Sequence, residues 1–331
     1  MSREFPWSPG SATGIGSLPG TDVAEAVKTV FGELPDLPYL PELPARGPGA
    51  DMIGRAAGLL VDIPVELYAG AWRIASHPGR DARRTADLWE RDLDALTDHA
   101  GGFAGPVKVQ VAGPWTLAAS IDLQVGGRML RDAGAVRDLA ASLAEGVAAH
   151  VRDLSARVPH ARILVQLDEP TLPAVLAGHV PTESGYSVLP AVEASTATTT
   201  LAQIVTAAGV PVVVHCCAPD VPFGLVRDAG AAAVAVDLDL VGDLDPLGEV
   251  LDAGLGLFAG AVPTAPAERV PEGSAVATRI RDLWRTIGFS VNDLPEQVAV
   301  TPACGLAQVS PDAARSITTA CREAARRLAD S

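Results

Sequence analysis

Along most of the chain apolar and polar residues recur with two different periods. From Asp81 to His99 the apolar positions Leu88, Leu93 and Leu96 return at helical spacing among charged residues, which predicts an amphipathic helix. Val107-Lys108-Val109-Gln110-Val111 alternates and is β-rich, so it predicts a strand, ended by Ala112-Gly113-Pro114. The same reading gives a long helix over 132–158, with Val136, Leu139, Leu143, Val147 and Val151 on one face, then a strand over 162–167 stopped by Asp168-Glu169-Pro170. Helices follow at 189–208 (capped by Gly209), before Leu225, and at 247–253, 275–287 and 311–328. Between them lie apolar strands at 210–214, 231–236, 256–260 and 298–301. The first eighty residues are different. They are rich in Gly and Pro and read as loops around one short helix, opened by Thr21-Asp22 and running to about Phe31.

Strands that are apolar throughout, each followed by a helix, belong to a parallel sheet covered on both faces. At least six such units in this length predict a single (β/α)8 TIM barrel over 1–331, with the Gly/Pro-rich N-terminal segment at its mouth. No dinucleotide-binding glycine pattern follows any strand, and no repeat or linker divides the chain.

Composition narrows the function. With 25 basic and 40 acidic residues the net charge is −15, which supplies no footprint for nucleic acid. No stretch approaches the ~20 apolar residues that span a bilayer, and the start at Met1 has no apolar signal core. Four cysteines (Cys216, Cys217, Cys304, Cys321) do not make a disulfide framework, so a cytoplasmic, reduced setting is expected. Lys28 and Lys108 are the only lysines, a scarcity that reads as compositional bias.

In a barrel the active site lies at the C-terminal strand ends. Gln110, Asp168-Glu169, His215-Cys216-Cys217, Asp237 with Asp239, and Cys304-Gly305 all fall there. His215 and Cys217 alternate on an extended segment, so both can face one ligand while Cys216 faces away. With Cys304 they form a set suited to zinc, completed by a carboxylate or an open position. The competing reading is buried small thiols, and it fits Cys321 best. Asp168-Glu169-Pro170 reads equally as a helix start or as a site for a cationic group such as an amine.

Gly14-Ile15-Gly16-Ser17-Leu18-Pro19, Gln166-Leu167-Asp168-Glu169-Pro170, His215-Cys216-Cys217 and Thr301-Pro302-Ala303-Cys304-Gly305-Leu306 occur in the order seen in cobalamin-independent methionine synthases. The chain resembles the C-terminal catalytic half of that family over nearly its whole length, in a short form without the N-terminal half. The resemblance implies a barrel that transfers a methyl group to the sulfur of homocysteine. It implies zinc on His215, Cys217 and Cys304, with Asp237 (or its neighbour Asp239) where the family has a Glu. It places the substrate on Gly16 and Ser17 through the backbone, and on Glu42 and Asp168 through the amino group, with Asp168 counted as catalytic.

Two departures bear on the donor. Ala261 stands where long-form enzymes carry a His that protonates the folate leaving group, and Ser120 where they carry a stacking Trp; Trp115 is nearer but out of register. A tertiary amine leaves badly without protonation, at a cost of about 10²–10⁴ in rate. The acceptor half is thus retained and the folate half is not, which points to a corrinoid or corrinoid protein as donor. The alternatives are a corrinoid-dependent methyltransferase for another thiol, and a non-catalytic protein that binds zinc and homocysteine.

Overall fold

The computed structural model describes residues 5–264 and 270–330; the first four residues, part of the start read above for a signal, lie outside them. After an extended opening come α1 (Val23–Glu33), α2 (Met52–Ala57), a hairpin of β1 (Val65–Tyr68) and β2 (Ala71–Ile74), and α3 (Arg80–Ala100). Strand and helix then alternate. The order is β3 (Pro106–Ala112), α4 (Pro114–Ser120), α5 (Ala133–Arg157), β4 (Arg162–Asp168), α6 (Leu172–Ala177), α7 (Ala194–Ala208), β5 (Val212–Cys216) and α8 (Phe223–Asp228). It continues through β6 (Ala233–Asp237), α9 (Asp245–Asp252), β7 (Gly256–Val262), α10 (Gly273–Ile287), α11 (Leu294–Gln297), β8 (Val298–Pro302) and α12 (Pro311–Ala329).

β3 to β8 make one curled, six-stranded parallel sheet in sequential order. The eight strands expected from the sequence are therefore six, joined by two extended segments. On the β8 edge, Thr13 N donates to Val300 O and Val300 N to Ser11 O, both at 3.0 Å. On the β3 edge, Leu40 N donates to Lys108 O and Lys108 N to Pro38 O, both at 2.9 Å. The two segments also meet each other, Leu18 N to Glu42 O at 2.8 Å and Glu42 N to Gly16 O at 3.0 Å. Prolines 38 and 41 carry no amide hydrogen, so a longer ladder cannot form there.

Strand parity sorts the core into two. Trp7, Leu37, Leu164, Val213, Ala233, Ala235, Phe258 and Ala299 cluster on the concave face of the sheet, with Trp7 edge-on to Phe258 at 4.9 Å. A far larger apolar cluster lies between the sheet and its helices. Burial on both faces is what continuous apolar strands require. α1 opens as the sequence predicts, with the Asp22 side chain accepting from Glu25 N at 3.1 Å, and α7 ends at Gly209 in the left-handed region (φ 65°). α7 begins at Ala194 rather than Leu189: Pro190 disfavours helical backbone at Leu189, and the stretch before Ala194 is held elsewhere, Leu189 N on Val180 O at 2.8 Å and Val192 N on Val175 O at 3.1 Å.

Candidate functional site

The residues that share the concave parity of each strand change from apolar to polar toward its C-terminal end. β4 runs Leu164, Gln166, Asp168; β5 runs Val213, His215 and, just beyond its end, Cys217; β6 runs Ala233, Ala235, Asp237. Asp168 and His215 are partners in the β4–β5 register. The two are buried and joined at 2.8 Å, Asp168 Oδ1 to His215 Nδ1. A carboxylate accepts, so Nδ1 carries the proton and Nε2 presents its lone pair. That Nε2 is buried and without a hydrogen-bond partner.

Cys217 and Cys304 lie beside it. Their sulfurs are 3.2 Å apart, and the ligand atoms of His215, Cys217 and Cys304 all fall within 4.8 Å of one another. The hydrogen bond between the two sulfurs holds the Cys304 thiol below the ordinary thiol range, helped by His215 and the Gly305 amide. The same bond, with burial, raises Cys217. An orphaned imidazole nitrogen, two adjacent sulfurs and a carboxylate fixing the tautomer fit a zinc-type ion well. Cys216 faces away and is buried, and Cys321 is a core residue of α12, as the alternation and the helix position predict.

Asp237 is not brought into that group. Its Oδ1 accepts from Asp239 N at 2.9 Å, and Asp239 is paired with Arg279 at 2.7 Å. Among the described residues the ligand cluster is the three named. Ala261 is buried on β7, with its carbonyl accepting from Arg279 at 3.2 Å. Trp115 is a core residue whose indole donates to Ala197 O at 3.2 Å, and Ser120 ends α4.

The glycine-rich segment is held against the sheet by Lys108, which the sequence reading passed over. Its Nζ lies 3.0 Å from Ile15 O, 3.1 Å from Gln110 Oε1 and 2.8 Å from Gln166 Oε1. Gln166 in turn donates to Ile15 O at 2.8 Å and to Asp168 Oδ1 at 2.7 Å. A continuous polar chain thus links the Gly14–Ser17 segment to the His215 imidazole. The clue was present: Lys108 and Gln110 are polar on one face of a strand that is buried along its whole length. Gly16 fits because a Cβ there would lie 2.8 Å from Gln110 Cγ, and Gly305 because one would lie 2.2 Å from Ser17 Oγ. Ser17 O accepts from Leu306 N at 2.8 Å, so the segment and the Cys304 loop are tied together.

Glu42 is buried beside Ser17, its bridge partner, and burial pushes its carboxyl up to about 7, against Arg55 and Lys108. Glu169 has a different task. Its carboxylate accepts from Trp115 N (2.9 Å), Thr116 N (2.8 Å) and Thr116 Oγ (2.7 Å), capping α4 across from the neighbouring strand. The two carboxylates of Asp168-Glu169-Pro170 therefore divide, one to the site and one to a helix N-terminus.

A curled parallel sheet covered by helices, with an imidazole and two thiols grouped at its strand ends, defines an α/β protein whose His215, Cys217 and Cys304 could hold a metal ion. The chain belongs to the family described as the cobalamin-independent synthase, catalytic domain, whose model matches residues 11–327. Among solved structures it is similar to a B12-independent methionine synthase from Shewanella sp. W3-18-1, determined in complex with selenomethionine. The identity is 11%, the TM-score 0.68, and 98% of each chain is covered. A mandelate oxidase mutant gives a TM-score of 0.29 at 16% identity over 85% of each chain, too remote to carry an argument. No curated protein matches the sequence. No helix among the described residues is long and apolar enough to cross a membrane.

Proposed function

We propose that the protein methylates the thiol of homocysteine to give methionine, in a single (β/α)8 barrel whose first two staves are the segments around 11–18 and 38–42. The observation that carries this reading is His215, tautomerically fixed by Asp168 and aiming an unpartnered Nε2 at the space beside two sulfurs. His215, Cys217 and Cys304 would hold zinc, with Asp237 reaching the ion only if its turn opens. When bound, the ion would remove the proton of a substrate thiol, which is a weak nucleophile while protonated.

The chain's own residues do the rest. Asp168 fixes the imidazole and, with Glu42, offers carboxylates to the substrate's α-ammonium. The backbone at Gly16 and Ser17 meets its carboxylate end. The bond that forms is sulfur to methyl carbon; the bond that breaks leaves its electron pair on the donor, and the thiol proton passes to solvent. Ala261 can give no proton to a departing amine, so methylcobalamin should serve better than methylfolate.

The test is methionine formation by the zinc-loaded protein from homocysteine with each donor in turn. Methionine above the protein-free background with either donor supports the proposal. Homocysteine binding with no transfer from either donor replaces it with the reading of a binding protein, which Ala261 and the placement of Asp237 favour.

A further inference from the structure

Glu42, among the described residues, receives no hydrogen bond on its carboxylate, although it is buried. What it has is a cation at short range: Arg55 Nε lies 3.7 Å from Glu42 Oε1. Arg55 is itself 2% exposed, stacked 3.9 Å over the Trp89 ring, and its Nε has no hydrogen-bond partner. Its Nη1 is engaged by Asp92 Oδ2. Asp92, on α3 and fully buried, also accepts two bonds from Arg46, at 2.6 and 2.8 Å. Arg46 follows Glu42 by four residues, in the turn Pro44–Arg46.

The charges decide what this cluster is for. Two guanidinium groups share one carboxylate, leaving one positive charge uncompensated in a buried place. Arginine does not give up its proton in proteins. A buried charge without a counter-ion is costly, so the cluster is neutral only when Glu42 is ionised. The other titratable groups facing Glu42 are Asp168 on β4, which pushes its carboxyl up, and Lys108 on β3, which pulls it down. None of the Arg46, Arg55 and Asp92 contacts reaches the Cys and His cluster.

We infer that Arg55 is a positioning residue that fixes the charge and direction of Glu42, and thereby sets a preference for thiols carrying an α-ammonium group over thiols without one. The inference rests on the proposed function, because it takes Glu42 as the group that meets the substrate ammonium. Arg55 makes no contact with substrate. It keeps an anion available at one wall of the pocket, and Trp89 and Asp92 keep Arg55 in line.

The test compares two acceptors on the zinc-loaded protein by calorimetric titration: homocysteine, and 4-mercaptobutanoate, which is the same molecule without the amino group. The wild type should prefer homocysteine. Arg55→Gln should weaken homocysteine by about tenfold or more, as loss of a buried charge partner does, and leave 4-mercaptobutanoate within about threefold. The acid limb of homocysteine binding should also move to higher pH, since removing a cation raises the carboxyl it faces. Arg55→Lys keeps the charge without the planar fork, and should restore part of the preference. Should Arg55→Gln fail to fold, as a thermal melt would show, Arg55→Lys decides: a preference equal to wild type overturns the inference, and a reduced one supports it. Equal weakening of both acceptors in Arg55→Gln also overturns it, because that is a merely structural effect. A wild type that binds the two acceptors alike removes the reading of Glu42 itself, and with it this inference. A wild-type preference that survives Arg55→Gln removes the inference alone.

Discussion

Each ring nitrogen of His215 has a separate task, and the division follows from one contact. Asp168 takes Nδ1–H at 2.8 Å, so Nε2 can only accept, whether from a proton or a metal. Asp168→Asn removes the carboxylate's charge while preserving its shape. Loss of such an outer partner should lower zinc affinity by about 10–100-fold, measurable by competition with a chromophoric chelator. An unchanged affinity would show that Asp168 serves the substrate only. Cys304→Ala should abolish stoichiometric zinc binding, while Cys321→Ala, a trimmed core thiol in α12, should leave it intact; metal analysis of the two purified variants separates ligand from packing. At this scale the sequence was legible where side chains alternate. The parity of 215 and 217 on an extended segment placed both on one side, and Cys304 followed from its strand end. Arg55 was not legible because its segment reads as loop, and Asp92 was not because a charged residue on an amphipathic helix looks the same whether it meets water or a buried guanidinium.

Glu169 shows how one element completes another. α4 starts with Gly113 and Pro114 and has no side-chain cap of its own. The cap comes from the end of β4, where Glu169 satisfies two backbone amides and a hydroxyl of α4. Gly113 makes room for it, since a Cβ there would lie 2.4 Å from Glu169 Oε1. Glu169→Ala leaves three buried donors unpaired and should cost about 3 kcal/mol, given ~1–3 kcal/mol for each unsatisfied buried group with some relaxation or water entry. Urea unfolding of Glu169→Ala and the wild type would measure it, and a loss under 1 kcal/mol would mean that water replaces the carboxylate at little cost. Long helices with a clean period, such as α3 and α5, were predicted close to their observed bounds. The hairpin of β1 and β2, α4 and α6 were not, being four to seven residues long and too short to show a period. The cross-strand cap was invisible for another reason: 53 residues separate Glu169 from Thr116, and only the fold brings them together.

At the scale of the whole molecule, Lys108 is where the sheet meets the two extended segments. Its backbone amide and carbonyl pair with Pro38 and Leu40, and its side-chain nitrogen holds Ile15 O of the other segment. The sequence showed neither segment as a strand, because each contributes single bridges from glycine- and proline-rich chain rather than a periodic run. The rarity of lysine, read as a compositional habit, concealed this one. Burial drives the Lys108 amine down to about 7, against the pull of Asp168 and Glu42. A free lysine holds its proton to about 10.4. Between pH 7 and 10 the unfolded chain therefore binds more protons than the folded one, and this residue's contribution to stability rises with pH. The contribution is complete above the unfolded value and is lost as pH falls through the folded one. Lys108→Met keeps much of the side-chain volume and lacks the titrating group, so it removes this slope. Urea unfolding of both proteins from pH 7 to 9 should show the wild type gaining on the variant at each step. Parallel stability curves would show that the three acceptors around the amine keep it protonated in the fold, and that the segments are closed by an ammonium ion rather than by a neutral amine.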